Sequence, residues 1–165
     1  AAVRDPGREN QGRHPGRALH QPRQRLGRPL LVPARRKARK RALDILFEAD
    51  QRQTDPRSTL EQWVGRADPP VPDYSQHLVT GVIVHREAID QVLAATSTDW
   101  TLDRMPSVDR SLLRIAVYEL LWCDDIPTAV AIDEAVELAK SLSTDDSASF
   151  VNGLLGEIAN RGTSS

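Results

Sequence analysis

A dense cationic segment is the part of this sequence with the clearest chemical meaning. Six of the seven residues from Arg35 to Arg41 are arginine or lysine, and the next nine residues carry no basic side chain. Guanidinium groups bind phosphate oxygens through paired N–H donors, and lysine ammonium groups attract phosphates as point charges. Such a segment is typical either of a solvated tail or of a surface that binds a polyanion.

Groups suited to catalysis or metal binding are sparse. His77 and His85 lie eight residues apart without a third ligand at a useful spacing, whereas a closed zinc site needs four ligands. The adjacent pairs Asp124–Asp125 and Asp145–Asp146 point in different directions and suit loops or helix caps better than an acid/base site. Cys123 has no base at a recognisable spacing, and no nucleophile-elbow or glycine-rich phosphate-loop motif occurs. The sequence therefore predicts no catalytic site, no metal and no cofactor.

Charge is divided unevenly along the chain. Residues 1–41 contain thirteen Arg or Lys and two acidic residues, while residues 42–165 contain nine and twenty-one. A cationic segment joined to an acidic body favours a polyanion bound at one place. Cys123 is alone, and the longest aliphatic run near the amino end, residues 30–32, is too short for a signal peptide or a membrane span. These features predict a soluble cytoplasmic protein without membrane contact.

Composition separates three segments. Residues 1–34 hold five of the eleven prolines and seven arginines, with no periodic apolar pattern. We therefore expect a disordered basic tail, which either adds nonspecific RNA affinity or is translated sequence upstream of the true start. Residues 35–160 are predicted to form one helical domain, and residues 161–165 a flexible carboxyl end.

The apolar residues from Arg35 onward recur at helical spacing, and no segment alternates with period two over the length of a strand. This pattern predicts an all-α fold of about six to seven helices. Predicted helices run from Arg35 to a stop at Asp55–Pro56, from Ser58, as part of a capping box, to a point before Pro69–Pro70, and from Asp73 to about Thr96. Further helices are predicted after Pro106, after Pro127 and after the loop 143–147.

Several stretches in order carry a family resemblance. They are RRKARKRALDILFEAD, YSQHLVTGVIVHREAID, RSLLRIAVYELL, DIPTAVAIDEAVELAK and FVNGLL, which together span about residues 35–160. In these stretches the sequence strongly resembles the NusB family of bacterial transcription antitermination factors. The resemblance implies two small packed helical bundles and an adaptor rather than an enzyme. It also implies the partners NusE, a free small-subunit ribosomal protein, the single-stranded boxA element of ribosomal RNA leader transcripts, and RNA polymerase with other Nus factors.

The resemblance also implies site residues. The basic start of the first helix matches the arginine-rich RNA-binding motif of the family, although Arg41 lies close to the buried stripe. Phe47 is expected either to stack on a base or partner or to pack in the core. Asp109 and Asp146 match acidic positions near RNA, with first-turn charge and helix capping as their structural alternatives. The implied RNA-binding residues are Arg35, Arg36, Lys37, Arg39, Lys40, Arg41, Phe47, Asp109, Asp146 and Phe150.

Two alternatives to the antitermination role remain open at the level of sequence. The same helical domain resembles the amino-terminal part of some rRNA cytosine methyltransferases, which carry a further catalytic domain. Some NusB relatives form homodimers that cover the RNA surface, so a homodimer that acts without RNA is the second alternative.

Overall fold

The computed structural model describes residues 28–66 and 68–163. Within these ranges the chain forms seven α-helices and one short 3-10 turn, with no strand, which confirms the all-α prediction. No helix in this part of the chain is both long and apolar enough to cross a membrane. The helices are α1 (Arg28–Arg52), α2 (Pro56–Arg66), α3 (Asp73–Val84), α4 (Arg86–Thr96), α5 (Ser107–Trp122), α6 (Thr128–Leu142) and α7 (Asp145–Thr163), and the turn is Leu102–Arg104.

Both ends of the helical region extend beyond the predicted limits. α1 begins at Arg28, so residues 28–34 of the predicted disordered tail are helical. Pro29 fits the first turn, where the N–H that proline lacks has no partner within the helix. α7 continues to Thr163, so residues 161–163 of the predicted flexible end are helical too. The remainder of the predicted tail, residues 1–27, and residues 164–165 lie outside the described residues.

The predicted long helix from Asp73 to Thr96 is two helices, α3 and α4, that meet at His85. The apolar stripe keeps its phase across this point, since Val82 and Ile89 lie two turns apart, but it is interrupted by Arg86, which stands where the next inward residue after Val82 would fall. The ring of His85 instead stacks on Trp122 of α5, with the ring centroids 4.3 Å apart. The direction of the chain therefore changes where an aromatic contact replaces the aliphatic stripe.

The start of α2 also differs from its prediction. Ser58 was expected to open the helix as part of a capping box, but the first helical residue is Pro56. The carboxylate of Asp55 accepts a hydrogen bond from the N–H of Arg57 at 3.0 Å. Proline in the first helical position suits this start, since its backbone angle is already helical.

The centre of the fold is α5, which contacts α3 and α4 as well as α6 and α7. Its side chains are buried from Leu112 through Val117, which matches a helix surrounded by other helices. α3 approaches α5 most closely at Gly81, where an added Cβ would lie 2.1 Å from Cζ of Tyr118. Only glycine permits this approach.

Candidate nucleic-acid interface

One face of α1 presents its cationic side chains along a groove. The groove has a volume of about 440 Å³ and also includes Leu138 and Ser141 of α6. Its residues on α1 follow the spacing of one helical face, so their side chains project in similar directions. They are Arg36, Lys37, Lys40, Arg41 and Asp44.

Arg36 is held at the edge of the groove by Glu134 of α6. Its Nε and one Nη donate to the two carboxylate oxygens of Glu134 at 2.8 and 2.9 Å. The Arg36 side chain remains 51% exposed, whereas that of Glu134 is nearly buried. The hydrogen bonds from Arg36 lower the pKa of Glu134, so this carboxylate is ionised at neutral pH. Arg36 is therefore oriented by one anion and still open to another.

The two lysines of the groove are available to solvent. Nζ of Lys40 donates to Asp44 at 2.6 Å, one turn along the same helix, and both side chains are more than a third exposed. Exposed pairs of this kind contribute little to stability, so a phosphate can compete for the ammonium group. Lys37 is exposed and forms no ion pair with any described residue.

Arg41 makes contacts with Trp63 of α2 and with Pro69, which follows that helix. One Nη donates to the carbonyl of Pro69 at 3.0 Å, and the guanidinium carbon lies 5.3 Å from the ring centroid of Trp63. Its Nε is buried and has no hydrogen-bond partner. The side chain thus reaches from the groove over an aromatic ring, which agrees with its expected position near the buried stripe.

Arg35 lies beside a tyrosine instead of lining the groove. Its guanidinium carbon is 4.8 Å from the ring centroid of Tyr74, and one Nη is 3.4 Å from a carboxylate oxygen of Asp125. About a third of the side chain is exposed. A cation over an aromatic face keeps its charge, so Arg35 can still attract a phosphate.

Arg39 is buried, which argues against its predicted contact with RNA. Its Nε and one Nη donate to the two oxygens of Glu119, each at 2.8 Å, and both side chains are at most 3% exposed. Tyr74 donates a further hydrogen bond to Glu119 at 2.8 Å. Burial opposes the charge of Arg39, but the hydrogen bonds and attraction of Glu119 outweigh it and raise its pKa. The role of Arg39 is to join α1 to α5.

Asp109 is likewise inside the protein. The residue is 0% exposed, and its Oδ2 accepts a hydrogen bond from the hydroxyl of Ser147 at 2.7 Å. Its Oδ1 is buried and has no partner. The side chain therefore links the first turn of α5 to the first turn of α7, a position that does not permit direct contact with RNA.

The remaining predicted residues are accessible to different degrees. Phe47 is half-buried and lies seven residues after Lys40, on the face of α1 that borders the groove. Asp146 is exposed and does not cap α7, because the hydroxyl of Thr144 accepts the N–H of Ser147 and fills that role. Phe150 packs against the core and meets Trp100 edge-on, with centroids 5.3 Å apart.

Two glutamates that position arginines of the basic segment are not among the residues predicted from the sequence. Glu119 and Glu134 fall on the buried faces of α5 and α6. A carboxylate within an apolar stripe needs a cationic or hydrogen-bonding partner, so their positions were a usable signal. Both partners come from the basic segment of α1.

Among the described residues, Cys123 and His77 lie close together but do not form a reactive pair. His77 Nε2 lies 3.1 Å from the hydroxyl of Tyr118 and 4.0 Å from Sγ of Cys123. Burial raises the pKa of the Cys123 thiol to about 11, so the thiol is protonated at neutral pH. Among the described residues, no group of three or more His, Cys, Asp or Glu side chains could hold a metal ion.

Comparison with known proteins identifies one family. The model of the NusB family matches residues 36–160. The transcription antitermination protein NusB of Acidothermus cellulolyticus is 55% identical over 133 residues, which cover 80% of this chain and 92% of the relative. That of Saccharopolyspora erythraea is 58% identical over 131 residues, covering 78% and 88%.

Solved structures agree with this assignment. NusB of T. maritima superposes with a TM-score of 0.69 at 35% identity, covering 76% of this chain and 90% of that chain. A NusB chain in the crystal structure of antitermination factors NusB and NusE in complex with dsRNA gives a TM-score of 0.67 at 26% identity, covering 77% and 96%.

Proposed function

Because this chain belongs to the NusB family, we propose that it is an RNA-binding transcription antitermination factor that acts with NusE on the boxA element of ribosomal RNA leader transcripts. The names of its relatives describe transcription proteins rather than enzymes, which favours this role over a methyltransferase domain. In this proposal the complex acts on RNA polymerase, with other Nus factors, in the cytoplasm.

The groove along α1 is the observation that carries the proposal. The groove contains cations that are free or only weakly paired. The helix that carries them is fixed in position, since α1 is anchored through Arg39 and Arg36. Phosphates of a single strand are bound by such a basic track, and bases stack on neighbouring planar side chains. In this proposal Phe47, on the face of α1 that borders the groove, supplies such a planar group, and the Arg35 guanidinium over Tyr74 adds positive charge nearby.

The strand type is a specific part of the proposal. The NusB–NusE complex of known structure contains double-stranded RNA, whereas boxA is proposed here as a single strand. The side chains of the groove can neutralise phosphates of either form. A comparison of the two forms is therefore part of the test.

The test measures RNA affinity of the full chain by fluorescence anisotropy. Four RNAs are compared, with and without NusE: a boxA-like single strand, its scrambled control, and the duplex form of each. Preference for the boxA single strand that sharpens with NusE supports the proposal. If about four phosphates are contacted, the logarithm of affinity falls with the logarithm of salt concentration at a slope of roughly −3.

The matched variants are Lys37→Ala with Lys40→Ala, against Lys140→Ala on α6. Lys140 is also exposed, and among the described residues it pairs with Glu137 of its own helix alone, at 3.2 Å. The groove variant is expected to bind RNA more weakly and with a shallower salt dependence. The control variant is expected to bind RNA as the wild type does. Equal affinity of wild type and groove variant for every RNA would rule out this surface.

A further inference from the structure

A second polar cavity, of about 240 Å³, lies among α1, α2, α4 and α5 and shares no residue with the groove. It is formed by the end of α1, the start of α2, the start of α4 and the middle of α5. Its polar and helix-terminal lining includes Asp50, Thr54, Pro56, Arg86, Ser111 and Arg114.

Two arginines of this cavity share one carboxylate. Nε of Arg86 lies 3.2 Å from Oδ2 of Asp90, and Nη2 of Arg114 lies 3.1 Å from the same oxygen. Nε of Arg114 donates a hydrogen bond to the other oxygen of Asp90, Oδ1, at 2.8 Å. The single negative charge of Asp90 is therefore shared by the guanidinium groups of Arg86 and Arg114 at the wall of the cavity.

The other carboxylate of the lining is already neutralised. Asp50 accepts a hydrogen bond from Arg110 at 2.6 Å. In these ion pairs three arginines share the carboxylates of Asp50 and Asp90, and Asp103 also attracts Arg110. Burial lowers the pKa of Arg114, and repulsion from Arg86 and Arg110 adds to this effect. An anion in the cavity would relieve that repulsion.

Further polar groups face the same space without a partner. Ser111 is 2% exposed and its hydroxyl makes no hydrogen bond with any described residue, although it lines the cavity. Arg114 is 7% exposed, and its Nη1 has no hydrogen bond to a described residue. Both groups can therefore donate to water or to a ligand with several acceptor oxygens in the cavity.

Helix ends reinforce the preference for an anion. Pro56 and Arg86 are the first residues of α2 and α4, where the helix dipole is positive. Asp55 already accepts a hydrogen bond at the start of α2, and Asp90 pairs with Arg86, so an added anion would complement charges that are partly compensated. The end of α1 has the opposite polarity, but its carbonyls at Ala49 and Asp50 accept hydrogen bonds from the N–H groups of Thr54 and Gln53.

From this arrangement we propose that the cavity binds a phosphate-class oxyanion, held by the guanidinium groups of Arg86 and Arg114 and the hydroxyl of Ser111. The anion is either inorganic phosphate or a phosphate group of a bound RNA. No residue of the groove lines this cavity, so the proposed anion site is independent of the proposed antitermination role.

The test titrates inorganic phosphate into the full chain at constant ionic strength, with chloride as the balancing salt, and follows backbone amides by ¹H–¹⁵N NMR. Saturable shifts at Thr54, Arg86 and Ser111 are expected. Arg86→Gln is expected to weaken phosphate binding at least about tenfold and Ser111→Ala a few-fold, since charged hydrogen bonds are the stronger kind. Arg104→Gln, an exposed arginine outside the cavity, is the control and is expected to bind as wild type does.

Repeating the titration with a boxA-like RNA present separates the two sources. Loss of phosphate binding in the RNA complex, with weaker RNA binding by Arg86→Gln, identifies an RNA phosphate as the occupant. Independent binding of both identifies free phosphate. The absence of saturable shifts in the wild type, unchanged phosphate affinity in Arg86→Gln, or an equal loss in Arg104→Gln would overturn the assignment.

Discussion

Arg39 and Glu119 form a buried, two-pronged ion pair between α1 and α5, with both N–O distances at 2.8 Å. The pair fixes the helix that carries the exposed cations to the central helix of the fold. The basic segment therefore contains two kinds of residue: some hold the helix in place, and others remain free to bind an anion.

Removing one member of this pair is expected to destabilise the fold strongly. Glu119→Ala leaves the guanidinium of Arg39 buried without its counter-charge, at a cost of about 3–5 kcal/mol in the free energy of unfolding. Urea denaturation followed by circular dichroism measures this loss. Arg39→Met combined with Glu119→Leu leaves no unpaired charge and is expected to recover most of the stability.

The same double variant tests the structural role of Arg39. Its RNA affinity is expected to equal that of the wild type, because the guanidinium is not at the surface. A folded double variant that binds RNA as weakly as the variant of Lys37 and Lys40 would show instead that Arg39 contacts RNA.

Gly81→Ala is expected to lower stability by about 1–3 kcal/mol through overpacking. The new Cβ would meet the ring of Tyr118, which is held between His77 and His85 and cannot easily move aside. Thermal and urea unfolding measure the change. Gly153→Ala in α7 is the control: a Cβ there meets no atom within 4 Å, so alanine is expected to stabilise the helix by about 1 kcal/mol. Similar effects of both substitutions would contradict the close approach of α3 to α5.

The ion pair of Arg36 with Glu134 predicts a specific acid sensitivity. The hydrogen bonds from Arg36 lower the folded-state pKa of Glu134 below its ordinary value of 4.5. The pair's contribution is therefore complete above the unfolded-state pKa and is lost as the pH falls through the folded-state value. Unfolding free energies measured from neutral pH down into the acid range should fall less steeply in Glu134→Gln than in the wild type. Glu137→Gln, on the exposed side of α6, should follow the wild-type curve, and a parallel curve for Glu134→Gln would refute the pKa assignment.

Phe47→Leu separates stacking on a base from packing in the core. Phe47 is half-buried beside the groove, so we expect RNA affinity to fall by about 1–3 kcal/mol, the contribution of one stacked base. Anisotropy titrations of the folded variant measure this change, with urea unfolding as the parallel control. Loss of stability with unchanged RNA affinity would assign Phe47 to the core.

Much of the local structure could be predicted from residue patterns. The apolar stripes of α5, α6 and α7 have the helical period, and Pro106 and Pro127 mark where α5 and α6 begin, whereas α7 begins at Asp145, within the predicted loop 143–147. The break at His85 is not predictable from the pattern, because Val82 and Ile89 on either side of it lie two helical turns apart and keep the apolar period. The position of the break is set by the contact of the His85 ring with Trp122 of α5, which is distant in the sequence.

The sequence by itself determined the helical class, the position of the basic segment and its resemblance to an RNA-binding motif, because periodicity and charge are properties of residue order. Only the tertiary structure decided which cations are free. Arg39 and Lys40 are neighbours of similar charge, yet one faces a carboxylate in the interior and the other a groove. That difference depends on Glu119, 80 residues away from Arg39 in the chain, and such distant partners are brought together only when the helices pack.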